Sequence, residues 1–79
     1  MNTNDPLKQL LTEFFVLPAD TVTAQLSQQA MPQWDSFAML QLIMELQAAF
    51  SIQFTLDEVD QLTDYAQIRA ALSRKGAIL

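Results

Sequence analysis

The stretch from Ser36 to Phe50 constrains the fold more than any other part of the chain. It holds neither glycine nor proline, and its apolar residues recur at spacings of three and four. Met39, Leu42, Ile43, Leu46 and Phe50 fall on one face of a helix. Phe37, Leu40 and Met44 form a second stripe, turned away from the first. A surface helix needs only one such stripe to meet a core. The second is either covered by a neighbouring segment or left exposed for a partner. Asp35 is a suitable N-cap, so the helix is expected to open at Trp34-Asp35-Ser36 and to run to about Phe50.

The remaining segments read as shorter helices around this one. Asp5-Pro6 is a cap followed by a proline at the first helical position, and Leu7, Leu10, Leu11 and Phe14 follow as one stripe. Pro18 blocks continuation, which places the end of the first helix near Val16 or Leu17. Residues 18–34 have no sustained period. They read as a long loop folded back on the core through Val22, Leu26 and Met31, with at most a short helical turn; loops of this length are often functional. Ser51-Ile52-Gln53-Phe54 is an extended connection with two apolar anchors. Thr55-Leu56-Asp57-Glu58 is a capping box that starts a short third helix, with Val59 and Leu62 inward. Asp64-Tyr65-Ala66-Gln67 is a looser box opening a fourth helix to about Lys75, with Ile68 and Leu72 inward and Gly76 as its stop. The expectation is a single all-α domain over residues 1–79, a small four-helix bundle with a long first loop and a short third helix.

Composition narrows the chemistry. There is no Cys and no His in 79 residues. That excludes disulfides, thiolate metal sites, cysteine nucleophiles and the usual general base. With 51% hydrophobic residues the chain has enough apolar surface for a core. No apolar run approaches the ~20 residues of a membrane span, and none resembles a signal peptide, so a cytoplasmic protein without a membrane span is expected. The net charge of −5 is unevenly placed. Between Lys8 and Arg69 lie Glu13, Asp20, Asp35, Glu45, Asp57, Glu58, Asp60 and Asp64, with no base among them. Such a field repels nucleic acid and favours basic partner surfaces, although solubility alone also accounts for it. Arg69, Arg74 and Lys75 read as structural charges that suit the end of a helix dipole.

Ser36 is the candidate for chemistry. It stands at the first turn of the longest helix, after Asp35 and at the end of a long loop. The positive end of a helix dipole is a natural place for a phosphate ester. Taken alone, Asp35-Ser36 reads first as a helix-capping pair.

The run from Trp34 through Asp35-Ser36-Phe37 to Phe50 resembles the Asp-Ser-Leu helix of the acyl carrier protein family, with the family's shared Phe falling on Phe50. Phe54-Thr55-Leu56-Asp57-Glu58 resembles that family's short acidic third helix, and Ile68 with Leu72 its closing helix. The resemblance implies that Ser36 is modified by a phosphopantetheinyl transferase, with coenzyme A as donor of a 4′-phosphopantetheine arm. The thiol of that arm would hold an acyl or aminoacyl group as a thioester. It implies that Asp35 helps to position the transferase's metal and the serine hydroxyl. The protein would be a carrier and not an enzyme, and a monomer. Its partners would be the transferase, an acyl- or aminoacyl-loading ligase and a downstream synthase or transferase. Phe37, Leu40, Met44, Glu45 and Asp57 are the candidate partner-binding residues.

The sequence departs from that pattern in three places. Phe37 stands where Leu is commoner, which looks more like D-alanyl and specialised carriers. Trp34 before the acid is likewise more usual in specialised and peptidyl-type carriers. The face read as Ala38, Gln41, Gln47 and Ala48 lacks the family's acids, leaving Glu45 alone between Asp35 and Asp57. Docking is therefore expected to rest on the apolar stripe, with a dedicated partner set and weak salt dependence. Met39, Leu42, Leu46, Val59, Leu62 and Ile68 are candidates to line a cleft for an aliphatic chain, against the alternative of ordinary core packing. Two other readings stand beside the specialised acyl carrier. One is a D-alanyl or aminoacyl carrier loaded by an adenylating ligase; the other is a helical adaptor without a prosthetic group, in which Asp35 only caps. Hydrolysis at Ser36 fails for want of an activating base.

Overall fold

The computed structural model describes residues 5–77. The closing Ala77-Ile78-Leu79, which the sequence reads as a frayed end beyond the Gly76 stop, falls largely outside the described residues. The chain forms α1 (Pro6–Phe14), a 3₁₀ turn (Thr23–Gln25), α2 (Ser36–Phe50), α3 (Leu56–Val59) and α4 (Tyr65–Arg74). There is no strand among the described residues, only an isolated bridge between Ser27 and Asp64.

Each α-helix begins at a side-chain cap that the sequence announces. Asp5 accepts from the Lys8 amide at 3.0 Å, Asp35 from Ala38 at 2.9 Å and Asp64 from Gln67 at 2.8 Å. Thr55 and Glu58 form the reciprocal capping box. The three longer helices also end alike. The chain turns left-handed at Val16, Ser51 and Gly76, with φ of 56°, 55° and 83°. After each turn, the next amide reaches back five residues: Leu17 to Thr12, Ile52 to Gln47 and Ala77 to Leu72. This is the Schellman arrangement, and it satisfies carbonyls the helix leaves open. It also corrects the expected end of α1. The helix stops at Phe14, not at Val16 or Leu17, because the turn is complete before Pro18 can act. Val16 is a β-branched residue held at positive φ while 88% exposed, so nothing it touches offsets the local crowding.

The core joins Leu7 and Leu11 of α1, Met39, Leu42, Ile43 and Leu46 of α2, and Ile68, Ala71 and Leu72 of α4. Leu26, Met31, Trp34 and Leu62 enter it from the connections. The long loop does fold back on the core, as expected, but Val22 is exposed and is not one of its anchors. Its place is taken by Trp34, whose ring lies 5.3 Å from that of Phe15 and whose Nε1 donates to Met39 Sδ at 3.2 Å. Two backbone bonds fasten the loop to the entrance of α4: Gln28 N to Thr63 O at 2.9 Å and Tyr65 N to Leu26 O at 2.8 Å.

The basic residues are placed differently from one another. Arg74 lies in the last turn of α4, where it suits the dipole. Arg69 lies in the first half of α4 and reaches the Tyr65 hydroxyl at 3.2 Å and Asp5 at 3.7 Å. Lys75, the C-cap of α4, pairs with Glu58 at 2.8 Å.

Candidate functional site

Asp35 fixes the start of α2 with extended backbone, and Ser36 is the first residue of a 15-residue helix. The cap occupies the Ala38 amide, and the Asp35 carbonyl takes the Met39 amide at 2.9 Å. The amides of Ser36 and Phe37 remain outside the helix's own ladder, at the positive end of its dipole. Ser36 is exposed, and among the described residues its hydroxyl has no hydrogen-bond partner. The side chain of Asp35 is also exposed.

Ser36 lies on the rim of an open groove of ~350 Å³. Met39 and Leu40 extend the α2 wall of this groove. The opposite wall is Val59 with Asp60 and Thr63, and Gln28 of the long loop closes one side. The groove is smaller than the cleft expected from the sequence. Of the residues proposed to line that cleft, Leu42, Leu46, Leu62 and Ile68 are fully buried core residues, and only Met39 and Val59 face the open space. Their apolar side chains are consumed by packing between α1, α2 and α4. The contributions of Gln28, Asp60 and Thr63 were not legible in the sequence. They follow from the loop-to-α4 bonds, which no local pattern encodes.

Phe37, Leu40 and Met44 are 68%, 65% and 66% exposed, so the second stripe of α2 is uncovered. At 100° per residue Gln41 and Ala48 share its face. Glu45 stands on the flank of that face. It lines a separate depression beside α1, with Leu10, Glu13 and Phe14. Asp57 is exposed in the first turn of α3, next to Leu56, which is 86% exposed. The residues expected to bind partners thus fall on a central apolar stripe, an α1 flank and an α3 end. Of them, Leu40 shares the groove with Ser36.

Among the described residues, Asp5, Glu58 and Tyr65 have shifted acidities. For Asp5, burial pushes the carboxyl up, but the Tyr65 hydroxyl, the Lys8 amide and the Arg69 charge outweigh it and hold it below the ordinary aspartate value. The Glu58 carboxylate is held below its ordinary value by its hydrogen bonds from Lys75 and from the Thr55 amide. Burial, and then the hydrogen bond to Asp5, push the Tyr65 hydroxyl up. None of the three lines the groove at Ser36; all three lie in contacts that join helices. Among the described residues no cluster of carboxylates could hold a metal ion, and no helix is long and apolar enough to cross a membrane.

No protein-family description, curated protein or solved structure is significantly similar to this chain.

Proposed function

We propose that the chain is a carrier protein of the acyl-carrier type, a small four-helix bundle that bears a 4′-phosphopantetheine arm on Ser36 and presents thioester-linked acyl or aminoacyl groups to partner enzymes. The observation that carries this reading is the setting of Ser36: an exposed hydroxyl, without a partner among the described residues, at the start of the longest helix and on the rim of a groove. The local geometry fits a phosphodiester. Two amides outside the helical ladder and the helix dipole suit its negative charge. The groove leaves room beside the hydroxyl for the start of an arm. When attached, the arm supplies a mobile thiol, which a chain without cysteine lacks.

The protein's own residues have separate tasks in this account. Asp35 holds the helix start and leaves its second carboxylate oxygen for the transferase and its metal. Phe37, Leu40 and Met44 offer partners an apolar stripe, with no acid on the same face. In this account the chain is a carrier that presents its cargo and is not itself an enzyme. It is proposed to work as a cytoplasmic monomer with a dedicated set of partners, whose affinity changes little with salt.

A transferase supplied with a fluorescent coenzyme A analogue tests these roles. The parent chain should be labelled, and Ser36→Ala should fold normally without label. Asp35→Asn keeps an equally good cap and loses the charge. It should fold like the parent and label slowly. Equal labelling of parent and Ser36→Ala would contradict the assignment.

A further inference from the structure

The groove beside Ser36 has one wall that is held far less firmly than the other. The α2 wall is anchored by Met39, Leu42, Ile43 and Leu46, all buried. Val59 and Asp60 of the opposite wall belong to the segment Thr55–Gln61, and α3 within it has no buried residue. Both ends of this segment are pinned. Before it, the Phe54 amide donates to Gln47 Oε1 of α2 at 3.0 Å. After it, Leu62 enters the core and Thr63 bonds Gln28. Between the pins, Val59 is half-buried and Leu56, Asp57 and Asp60 are exposed. The contact that reaches from this segment to another helix with full charge is Glu58 to Lys75, at 2.8 Å. Lys75 is well placed to hold it. Its backbone caps α4, and its ammonium lies 5.6 Å from the centre of the Phe54 ring, at the first pin.

We propose that Thr55–Gln61 is a flap over the groove and that the Glu58–Lys75 pair is its latch. With the pair made, Val59 and Asp60 stand as the groove's far wall. With it broken, the segment swings on its two pins and the groove widens beside Ser36. Loss of the Lys75 charge, or competition for it by a partner's carboxylate, would therefore change the space next to whatever Ser36 carries. That last consequence rests on the carrier reading; the flap and its latch do not.

Amide hydrogen exchange on the unmodified chain tests the mechanical claim. The probes are Val59 and Asp60, whose amides bond Thr55 O and Leu56 O. Glu58→Gln keeps the capping box, because Gln serves at that position, and removes the ion pair. Lys75→Met keeps an apolar stem over Phe54. Each should speed exchange at Val59 and Asp60 about three- to fivefold, as expected for a partly exposed pair. Leu42 and Leu46 should be unchanged, and the double variant should be no faster than either single one. Thr55→Ala, which breaks the box itself, serves as the positive control. Acceleration in Thr55→Ala but not in Glu58→Gln or Lys75→Met would overturn the latch. So would a uniform acceleration across the chain, or probe amides already unprotected in the parent. None of these outcomes bears on whether Ser36 can be modified.

Discussion

Among the described residues, two surface ion pairs tie α4 to its neighbours, and they differ in what stands behind them. Asp5 of α1 meets the Tyr65 hydroxyl and Arg69 of α4, with Arg69 at 3.7 Å from the carboxylate. Behind it, Leu7 and Leu11 hold α1 in the core without any help from charge. Glu58 of α3 meets Lys75 of α4 at 2.8 Å, and behind it there is no fully buried residue. An exposed pair of this kind stabilises a protein by ~0–1 kcal/mol. Against several buried leucines that amount is redundant, whereas against a half-buried valine it can decide a position. Rigidity here is set by what lies beneath a contact, more than by the contact. The firm region carries the long helix that presents Ser36, and the loose one borders the groove beside it.

Removing what lies beneath should therefore hurt the two regions very unequally. Leu11→Ala should lower the unfolding free energy by ~2–5 kcal/mol in a denaturant titration. Leu56→Ala, the corresponding truncation in α3, should stay within ~0.5 kcal/mol of the parent. A large loss at Leu56 would break the comparison.

The α1 contact itself comes next in size. Asp5→Ala removes a helix cap together with the Tyr65 and Arg69 contacts, and should cost ~1–2 kcal/mol of global stability. Its pH signature sharpens the point. The folded Asp5 and Glu58 carboxyls sit below their ordinary values of 3.8 and 4.5. Their contribution is present above those values and is lost as pH falls through the lower folded ones. The Tyr65 hydroxyl is raised above 10.0, so its contribution is present below that pH and is lost as pH rises beyond it. Thermal melts should accordingly fall at both extremes. Asp5→Asn, which keeps a cap, should flatten both arms, because it removes the partner that Tyr65 and Arg69 share.

The one expected gain is at the end of α1. Val16→Gly replaces a β-branched residue at positive φ in the turn that ends α1 and should stabilise the protein by ~1 kcal/mol. It should leave α3 exchange untouched. A loss of stability would mean that Val16 makes a contact worth more than its strain.

The pattern of what was legible follows the range of each interaction. Caps and stops are local, so Asp5, Asp35, Thr55, Asp64 and Gly76 announced their helices. The two stripes of α2 were equally plain. The sequence left open whether the second was covered, and it is not. Val22 was misread as an anchor because a lone apolar residue in a loop carries no period to say which way it faces. The end of α1 was placed too late because a left-handed Val16 defies the usual choice of glycine. At the site, Asp35 and Ser36 could be named from the chain alone. The groove's far wall and the Glu58–Lys75 contact depend on how distant segments meet, and no spacing in the sequence records that.

The most direct test of the account is the intact mass of the chain after incubation with coenzyme A, magnesium and a broad-specificity phosphopantetheinyl transferase. The account predicts one added arm, mapped to Ser36 and absent from Ser36→Ala. An unchanged mass, with the protein folded and the transferase active on a control, would contradict it and leave Asp35 as a helix cap in an adaptor.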